Sequence, residues 1–243
     1  VLALAWLGLK EMTPMAESAT LSRTIPPLDA AAPKGVQTAT FASGCFWGPD
    51  SQFGSLKGVV RTRVGYAGGR KLNPTYHDLG GHTESIQIDY DPTQVTYEQL
   101  LAVFWARHNP TRATGSRQYA SILFTHDDAQ KKQALASKEL EEAKRGAKIH
   151  TEIVPATRFT LAEGYHQKHY LRGEKALMRE FAAMFPSEAD FVASTAAARV
   201  NGYVGGHGSP EQLQGELGSL GLSPGAQRML LEFARKATPL RCQ

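Results

Sequence analysis

Alternating apolar and polar residues predict several short strands in the middle of the chain. In residues 84–90, Ile86, Ile88 and Tyr90 fall on one face of an extended segment, and the residues between them are polar. Comparable patterns predict strands over residues 36–42, 59–66, 119–125 and 151–154. The strand-forming part of the chain therefore begins near residue 36.

Helical spacing appears between these strands. Thr96 and Gln99 have the spacing of a capping box, and an apolar stripe follows at Tyr97, Leu100, Leu101, Phe104 and Trp105. We also predict helices over residues 46–56 and 127–145, with Gly146 after the end of the second. Because strands and helices alternate loosely over residues 36–175, we predict an α+β fold with a two-layer core.

Two changes in pattern divide the chain. Residues 10–35 are rich in Ala, Ser, Thr and Pro without periodicity, so we expect residues 1–35 to be a flexible N-terminal segment. After Pro186 the pattern becomes helical, and Ser209-Pro210 and Ser223-Pro224 each place an N-cap residue before proline. We therefore expect a main domain over residues 36–186 and a helical C-terminal extension over residues 187–243.

The charge distribution excludes one class of partner. The net charge is +4, but no run of Lys and Arg is interleaved with aromatic residues, so we expect no nucleic-acid partner. The apolar residues 1–9 are too few to cross a bilayer, so we expect no membrane span. We expect a cytoplasmic monomer, with a targeted or exported form as the alternative that the apolar N-terminus leaves open.

The sequence contains two cysteines, Cys45 and Cys242, too few for a disulfide framework. Cys45 follows Gly44 where a predicted strand meets a predicted helix. The free N–H groups and the positive end of the helix dipole favour a thiolate there. The alternative is a buried, inert cysteine. The strand–Gly–Cys–helix context favours a nucleophile.

Five histidines raise the question of a metal site. His77, His82, His108, His166 and His169 are accompanied by no convincing third ligand at a familiar spacing. We therefore expect hydrogen bonding or surface exposure for these side chains and no bound metal.

Seven short motifs, in unbroken order over residues 37–170, resemble the A-type peptide methionine sulfoxide reductases. They are Gly44-Cys-Phe-Trp-Gly48, Gly65-Tyr-Ala-Gly-Gly69, Asn73-Pro-Thr-Tyr76, Gly81-His-Thr-Glu84, Tyr90-Asp-Pro92, His108-Asn-Pro-Thr111 and Gln118-Tyr119. The resemblance implies the family's two-layer mixed α/β fold and reduction of the S epimer of methionine sulfoxide in oxidised proteins and peptides. It also implies a role in protein repair under oxidative stress, recycling by thioredoxin or another thiol reductant, and no bound cofactor. Whether free methionine sulfoxide is a substrate stays open.

The resemblance also implies roles for individual residues. Glu84 shares the strand parity of Ile86, so it points either to the apolar side or, at a strand end, to water. The match to the family's glutamate favours the apolar side, where burial would raise its pKa and make it a general acid. Tyr76 and Tyr119 match tyrosines that donate hydrogen bonds to the sulfoxide oxygen. Phe46 and Trp47 match the pocket for the substrate methyl group, although a place in the helix core fits them nearly as well.

The sequence departs from the family pattern at two places. Thr114 stands where relatives usually carry an acidic residue. The glycine-rich segment Asn201–Gly208 lacks the cysteine that in many relatives resolves the sulfenic acid formed on the nucleophile. Cys242 is then the internal candidate for a resolving thiol, and direct reduction of Cys45 by external thiols is the rival that we favour slightly. The short loop between Tyr76 and Glu84 resembles a subgroup with a C-terminal extension.

Two other functions fit parts of the pattern. A cysteine hydrolase or acyltransferase would also place its nucleophile at a helix N-terminus, and His108 or His82 would be its base. A non-catalytic peptide-binding relative is suggested by the missing acidic residue at Thr114.

Overall fold

The computed structural model describes residues 25–236. Within them, one mixed sheet has the strand order β5-β4-β1-β3-β2-β6. The strands are β1 (Gln37–Ser43), β2 (Val59–Ala67), β3 (Thr83–Tyr90), β4 (Ser121–Thr125), β5 (Glu152–Pro155) and β6 (Thr160–Leu161). β4 and β5 are parallel, whereas the other neighbours are antiparallel. The predicted strands are all present, and the two-residue strand β6 is an addition that the sequence pattern did not indicate.

Helices pack against this sheet and extend beyond it. They are α1 (Pro27–Ala30), α2 (Trp47–Gly54), α3 (Tyr97–Arg107), α4 (Asp128–Arg145), α5 (His169–Gly173), α6 (Lys175–Met184), α7 (Glu188–Ala193), α8 (Thr195–Val204), α9 (Pro210–Glu216) and α10 (Pro224–Arg235). The Thr96–Gln99 capping box is formed in full at the start of α3. The α+β prediction is therefore confirmed.

The main core lies between one face of the sheet and α2, α3 and α4. Phe41 of β1 is opposite both Leu123 and Ile86 in the sheet register, and all three are buried. Phe41 also packs against the rings of Phe53 in α2 and Phe104 in α3, with centroids 5.7 and 5.4 Å away. This apolar contact fixes α2, and so the residues at its start, over the centre of the sheet.

A second core is formed by helices alone. It starts at Leu171 in α5 and continues through Phe181, Ala197, Leu213 and Leu230. The predicted boundary at residue 186 differs from this packing, because α5 and α6 share a core with α7–α10 rather than with the sheet. The apolar side chains of α6 face these later helices, a preference that its periodicity alone could not reveal.

The helices α5–α10, called the helical part below, pack against α2 through α8. A Cβ atom placed on Gly202 of α8 would lie 2.6 Å from the Cβ atom of Ser55, just after α2, and 2.8 Å from its backbone. Only glycine fits at that separation. The first half of the glycine-rich segment 201–208 is therefore the end of a packed helix, which stops at Val204.

The end of the predicted flexible segment is ordered. Asp29 in α1 accepts hydrogen bonds from the backbone N–H groups of Thr195 and Ala196, at 2.7 and 3.2 Å, and from the hydroxyl of Ser194. A carboxylate at a helix N-terminus satisfies free N–H groups and favours the helix dipole. The prediction of a flexible segment over residues 1–35 therefore fails at residues 27–30, whereas residues 1–24 lie outside the described part.

Within residues 25–236, no helix combines the length and the apolar character needed to cross a bilayer.

Candidate active site

Cys45 lies between β1 and α2, as the sequence predicted. The turn begins at Gly44, whose φ of +88° is in the left-handed region that favours glycine. Phe46 is the N-cap of α2, so Cys45 directly precedes the helix. Cys45 is half-buried and takes part in a disulfide bond. Cys242, the other cysteine of the sequence, lies outside the described residues.

Glu84 is buried beside this turn. Its side chain shares a sheet face with Ile86, as the parity predicted, and it is only 2% exposed. One carboxyl oxygen accepts the backbone N–H of Phe46 at 3.1 Å, and the other accepts the side-chain amide of Gln118 at 2.8 Å. Burial raises the pKa of Glu84, and these two hydrogen bonds only partly oppose the rise. A carboxyl of raised pKa therefore lies next to the residue that follows the cysteine.

Tyr76 and Tyr119 lie beside each other, close to Glu84. Tyr119 ends a 3-10 helix (Arg117–Tyr119) and is 37% exposed, while Tyr76 is half-buried in the loop between β2 and β3. Burial raises the pKa of Tyr119, and the charge of Glu84 and a hydrogen bond with the Tyr76 side chain add to the rise. The structure thus brings both tyrosines together near Glu84, and the raised pKa keeps the Tyr119 phenol protonated and able to donate.

Phe46 and Trp47 form an aromatic wall with two histidines. Phe46 is buried with its ring 5.0 Å from that of His166 and 6.1 Å from that of Tyr66. Trp47 is half-buried, donates its indole N–H to Nδ1 of His166 at 3.1 Å and stacks on His169. Phe46 thus packs as a core side chain, whereas Trp47 is half-buried beside the two histidines.

The structure adds Glu163, which sequence reasoning missed. It precedes a 3-10 helix (Gly164–His166), accepts the Tyr66 hydroxyl at 2.7 Å and accepts the backbone N–H of Tyr76 at 3.0 Å. Although burial opposes it, these hydrogen bonds and the nearby His166 lower the pKa of Glu163. Glu163 therefore anchors the Tyr76 loop as a carboxylate. The only local signal in the sequence is the run Glu163–His169, in which several polar residues lie close together. This run does not indicate that Glu163 contacts β2 and the loop after it.

A buried ion pair between Lys168 and Asp50 holds α2 in place. The Lys168 ammonium lies 3.1 Å from Asp50 of α2 and donates to the Thr62 carbonyl at 2.6 Å, and both charged side chains are fully buried. The backbone N–H of Lys168 also donates to Asp50 at 2.8 Å. The contact joins the end of the Glu163–His169 run to the helix that follows Cys45.

Several predicted candidates lie elsewhere. Thr114 is exposed in the loop after α3, where a cavity of about 320 Å³ is lined by that loop, His150 and Glu152. His108 is hydrogen-bonded to the Phe104 carbonyl and to Ser121, and burial lowers its pKa to about 4. Over residues 25–236, no three His, Cys, Asp or Glu side chains are grouped so that they could hold a metal ion.

Comparisons with known proteins agree with this geometry. The model of the family described as peptide methionine sulfoxide reductase matches residues 37–208. A peptide methionine sulfoxide reductase of Drosophila melanogaster is 46% identical over 190 residues, which are 77% of this chain and 76% of that protein.

Solved structures give the same answer. The crystal structure of Mxr1 from Saccharomyces cerevisiae in reduced form is 32% identical with a TM-score of 0.53 and is matched over 88% of its length and 59% of this chain. Methionine sulfoxide reductase A of Corynebacterium diphtheriae is 34% identical with a TM-score of 0.52, over 77% of its length and 59% of this chain. With a family model that covers most of the chain, a relative similar over three quarters of both sequences, and matching folds, the chain belongs to the peptide methionine sulfoxide reductase family.

Proposed function

We propose that Cys45 and Glu84 carry out, in this chain, the thiol-dependent reduction of methionine sulfoxide for which the family is named. The observation that carries the proposal is the hydrogen bond from the Phe46 backbone N–H to the buried Glu84 carboxyl, one residue after Cys45. A sulfoxide sulfur is reduced by attack of a thiolate, but its oxygen leaves only when it is protonated. A nucleophile and a carboxyl of raised pKa at one site supply both requirements.

The reaction transfers the sulfoxide oxygen to Cys45. The Cys45 thiolate attacks the sulfoxide sulfur while Glu84 gives its proton to the oxygen. The oxygen is then transferred to the cysteine sulfur, which leaves a thioether, methionine, and a sulfenic acid on Cys45. The hydroxyls of Tyr76 and Tyr119 donate to the oxygen while negative charge builds up on it, because a phenol can stabilise that charge without being charged itself.

Substrate binding uses the aromatic residues. Phe46 belongs to a buried apolar cluster with Val64, Tyr66 and Ala162, and the partly exposed side chains of Trp47 and Tyr76 pack against this cluster. This region suits the methyl group of methionine, with the oxygen turned towards the two phenols. We propose that the resulting arrangement accepts the S epimer, in oxidised proteins and peptides.

The oxidised enzyme must be reduced for a further turnover. We propose that Cys242 attacks the sulfenic acid of Cys45, so that water leaves and a disulfide forms, and that a dithiol such as thioredoxin reduces this disulfide. Support comes from Cys45 itself, which takes part in a disulfide bond and so is able to form one. Direct reduction of Cys45 by external thiols, which the sequence slightly favours, is the rival proposal.

A peptide assay tests the first half of the proposal. The protein is incubated with dithiothreitol and a peptide that carries either epimer of methionine sulfoxide, and the product is identified by mass spectrometry. We expect thioether from the S epimer alone and none from Cys45→Ser. Glu84→Gln should slow the single-turnover reduction by a factor on the order of a hundred or more while Cys45 is alkylated as in the wild type. An undiminished single-turnover rate in Glu84→Gln would remove its role as the acid.

A second assay tests the recycling step. With thioredoxin as reductant, Cys242→Ser should keep the first turnover and lose steady-state activity, and its sulfenic acid should be trapped by dimedone. Equal steady-state rates for wild type and Cys242→Ser would instead support direct reduction of Cys45.

A further inference from the structure

The Trp47 indole is held from two sides by histidines. Its N–H donates to Nδ1 of His166 at 3.1 Å. Its ring lies on that of His169, with centroids 3.6 Å apart and planes 3° from parallel. One contact fixes the polar edge and the other covers a face, so the two together leave the half-buried indole little freedom to rotate.

The bond to the indole fixes the chemical state of His166. A ring nitrogen that accepts a hydrogen bond carries no proton, so the proton of the neutral ring is on Nε2. Nε2 lies 3.9 Å from the Glu163 carboxylate, beyond a hydrogen bond, and has no other partner in the described part of the chain. His166 is only 1% exposed. The contact with Trp47 is therefore the hydrogen bond that orients this ring.

His169 is fixed through its neighbour in the sequence. Lys168 is completely buried, has a φ of 54° and is joined to Asp50 by both its ammonium and its backbone N–H. Because Asp50 belongs to the same helix as Trp47, one anchor sets the position of His169 relative to the indole. The stacked geometry follows from that anchor rather than from an isolated surface contact.

We propose that His166 and His169 are positioning residues that hold the Trp47 indole as a wall for the methyl end of the substrate, so that they set substrate affinity. The proposal rests on the proposed function, in which Trp47 borders the substrate pocket. The step at sulfur depends on Cys45 and Glu84, which neither histidine contacts by a described hydrogen bond. Loss of the histidines should therefore raise KM more than it lowers kcat.

Protonation of the histidines should loosen the wall. A proton on Nδ1 of His166 removes the acceptor of the indole N–H. Burial lowers the pKa of His166, and His169 and His77 add to the effect while Glu163 opposes it.

The pKa of His169 is shifted in the same direction. Burial lowers the pKa of His169, and a hydrogen bond with the Tyr165 backbone and the charge of Asp50 oppose the decrease. Both rings thus stay neutral at neutral pH, and KM should rise on the acid side.

Paired variants test the proposal. His166→Leu removes the acceptor, whereas His166→Asn keeps an oxygen in the place of Nδ1. His169→Ala removes the stacked ring, whereas His169→Phe keeps a ring that cannot be protonated. We expect KM for the sulfoxide peptide, with dithiothreitol as reductant, to rise on the order of tenfold in His166→Leu and His169→Ala. His166→Asn and His169→Phe should restore most of the affinity.

A readout that needs no turnover follows Trp47 itself. In a Trp6→Phe/Trp105→Phe background, the fluorescence of Trp47 should be quenched as the pH falls, because a protonated imidazole stacked on an indole quenches it. His169→Phe should abolish most of this quenching, and His166→Leu should increase the quenching of Trp47 by acrylamide at neutral pH.

The outcomes separate the two proposals. Unchanged KM in both removal variants, or a loss confined to kcat, would overturn the positioning role. If the wild type reduces no sulfoxide, the proposed function fails, and the fluorescence of Trp47 then decides by itself whether the histidines hold it. If His166→Leu does not fold, as judged by circular dichroism, the half-buried His169 carries the test through His169→Ala and His169→Phe.

Discussion

Replacement of Lys168 by methionine should destabilise the protein more than almost any other single change near the site. The Lys168 ammonium is fully buried and contacts Asp50 at 3.1 Å, the Thr62 carbonyl at 2.6 Å and the Thr62 hydroxyl at 3.0 Å. Methionine matches the length of the aliphatic stem, so the packing volume stays nearly constant. The change therefore removes a charge and three polar contacts and little else.

The size of the effect follows from what remains behind. In Lys168→Met, the buried Asp50 carboxylate keeps the backbone N–H of residue 168 and the Thr62 hydroxyl, but it has lost its cation. A buried charge without its partner costs about 3–5 kcal/mol, which is a large share of the total stability of a domain. Asp50→Asn in the same chain removes the second charge while its side-chain oxygen still accepts the N–H. The double variant should therefore recover more than half of the loss.

The assay is unfolding in urea under reducing conditions, followed by circular dichroism and by fluorescence. Coincident transitions justify a single free energy of unfolding for each protein. The coupling energy of the cycle formed by wild type, Lys168→Met, Asp50→Asn and the double variant should exceed about 2 kcal/mol. A loss below about 1 kcal/mol in Lys168→Met, or additive losses in the double variant, would refute the argument that this pair is held by mutual neutralisation.

Three further predictions concern other parts of the fold. Glu84→Gln should become more stable relative to the wild type as pH rises from about 4 to about 8. A carboxyl of raised pKa stabilises the fold below its unfolded pKa, and this contribution is lost as pH rises through its folded pKa. The prediction is contradicted if the two proteins differ by the same free energy of unfolding in urea at both pH values. Asp29→Ala should cost about 1–2 kcal/mol, because it removes the hydrogen bonds at the start of α8, and a Tm unchanged within error would exclude that contribution. Gly202→Ala should cost about 1–3 kcal/mol through overlap with Ser55, whereas Gly215→Ala, which meets open space, is the matched control and should be neutral or slightly stabilising.

The local patterns of the sequence are enough for much of the fold. The alternation of β3 puts Glu84 on the face that it shares with Ile86 and Ile88. Its burial does not follow from the period alone, because residues of the opposite face, such as Ser85, are buried too. The capping box at Thr96 and the left-handed Gly146 after α4 are encoded within a few residues, and both form as predicted. Such features need no knowledge of the rest of the chain.

The missed features depend on contacts between distant parts of the chain. β6 has two residues, too few to show any period. Glu163 meets Tyr66 and Tyr76 across 97 and 87 positions of sequence, and Lys168 meets Asp50 across 118. The residues that flank Glu163 or Lys168 in the sequence do not indicate whether its side chain lies on the surface or in the site. Only the topology, which places the run Glu163–His169 under β2 and α2, distinguishes the two.

Features that reduce stability are concentrated around α2. Glu84 is desolvated, Lys168 is a fully buried cation, and Nε2 of His166 has no hydrogen-bond partner among residues 25–236. Each contributes to placing or charging a group next to Cys45, and a protein keeps such groups only where other contacts compensate for them. The close packing of α8 on α2 is such a contact, because α8 is buried along its whole length between the helical core and the helix that follows the cysteine. A change that loosens α8 should therefore reach the site through α2. The helical part thus belongs to the scaffold of the site, even though Cys45, Glu84 and Tyr119 lie outside it.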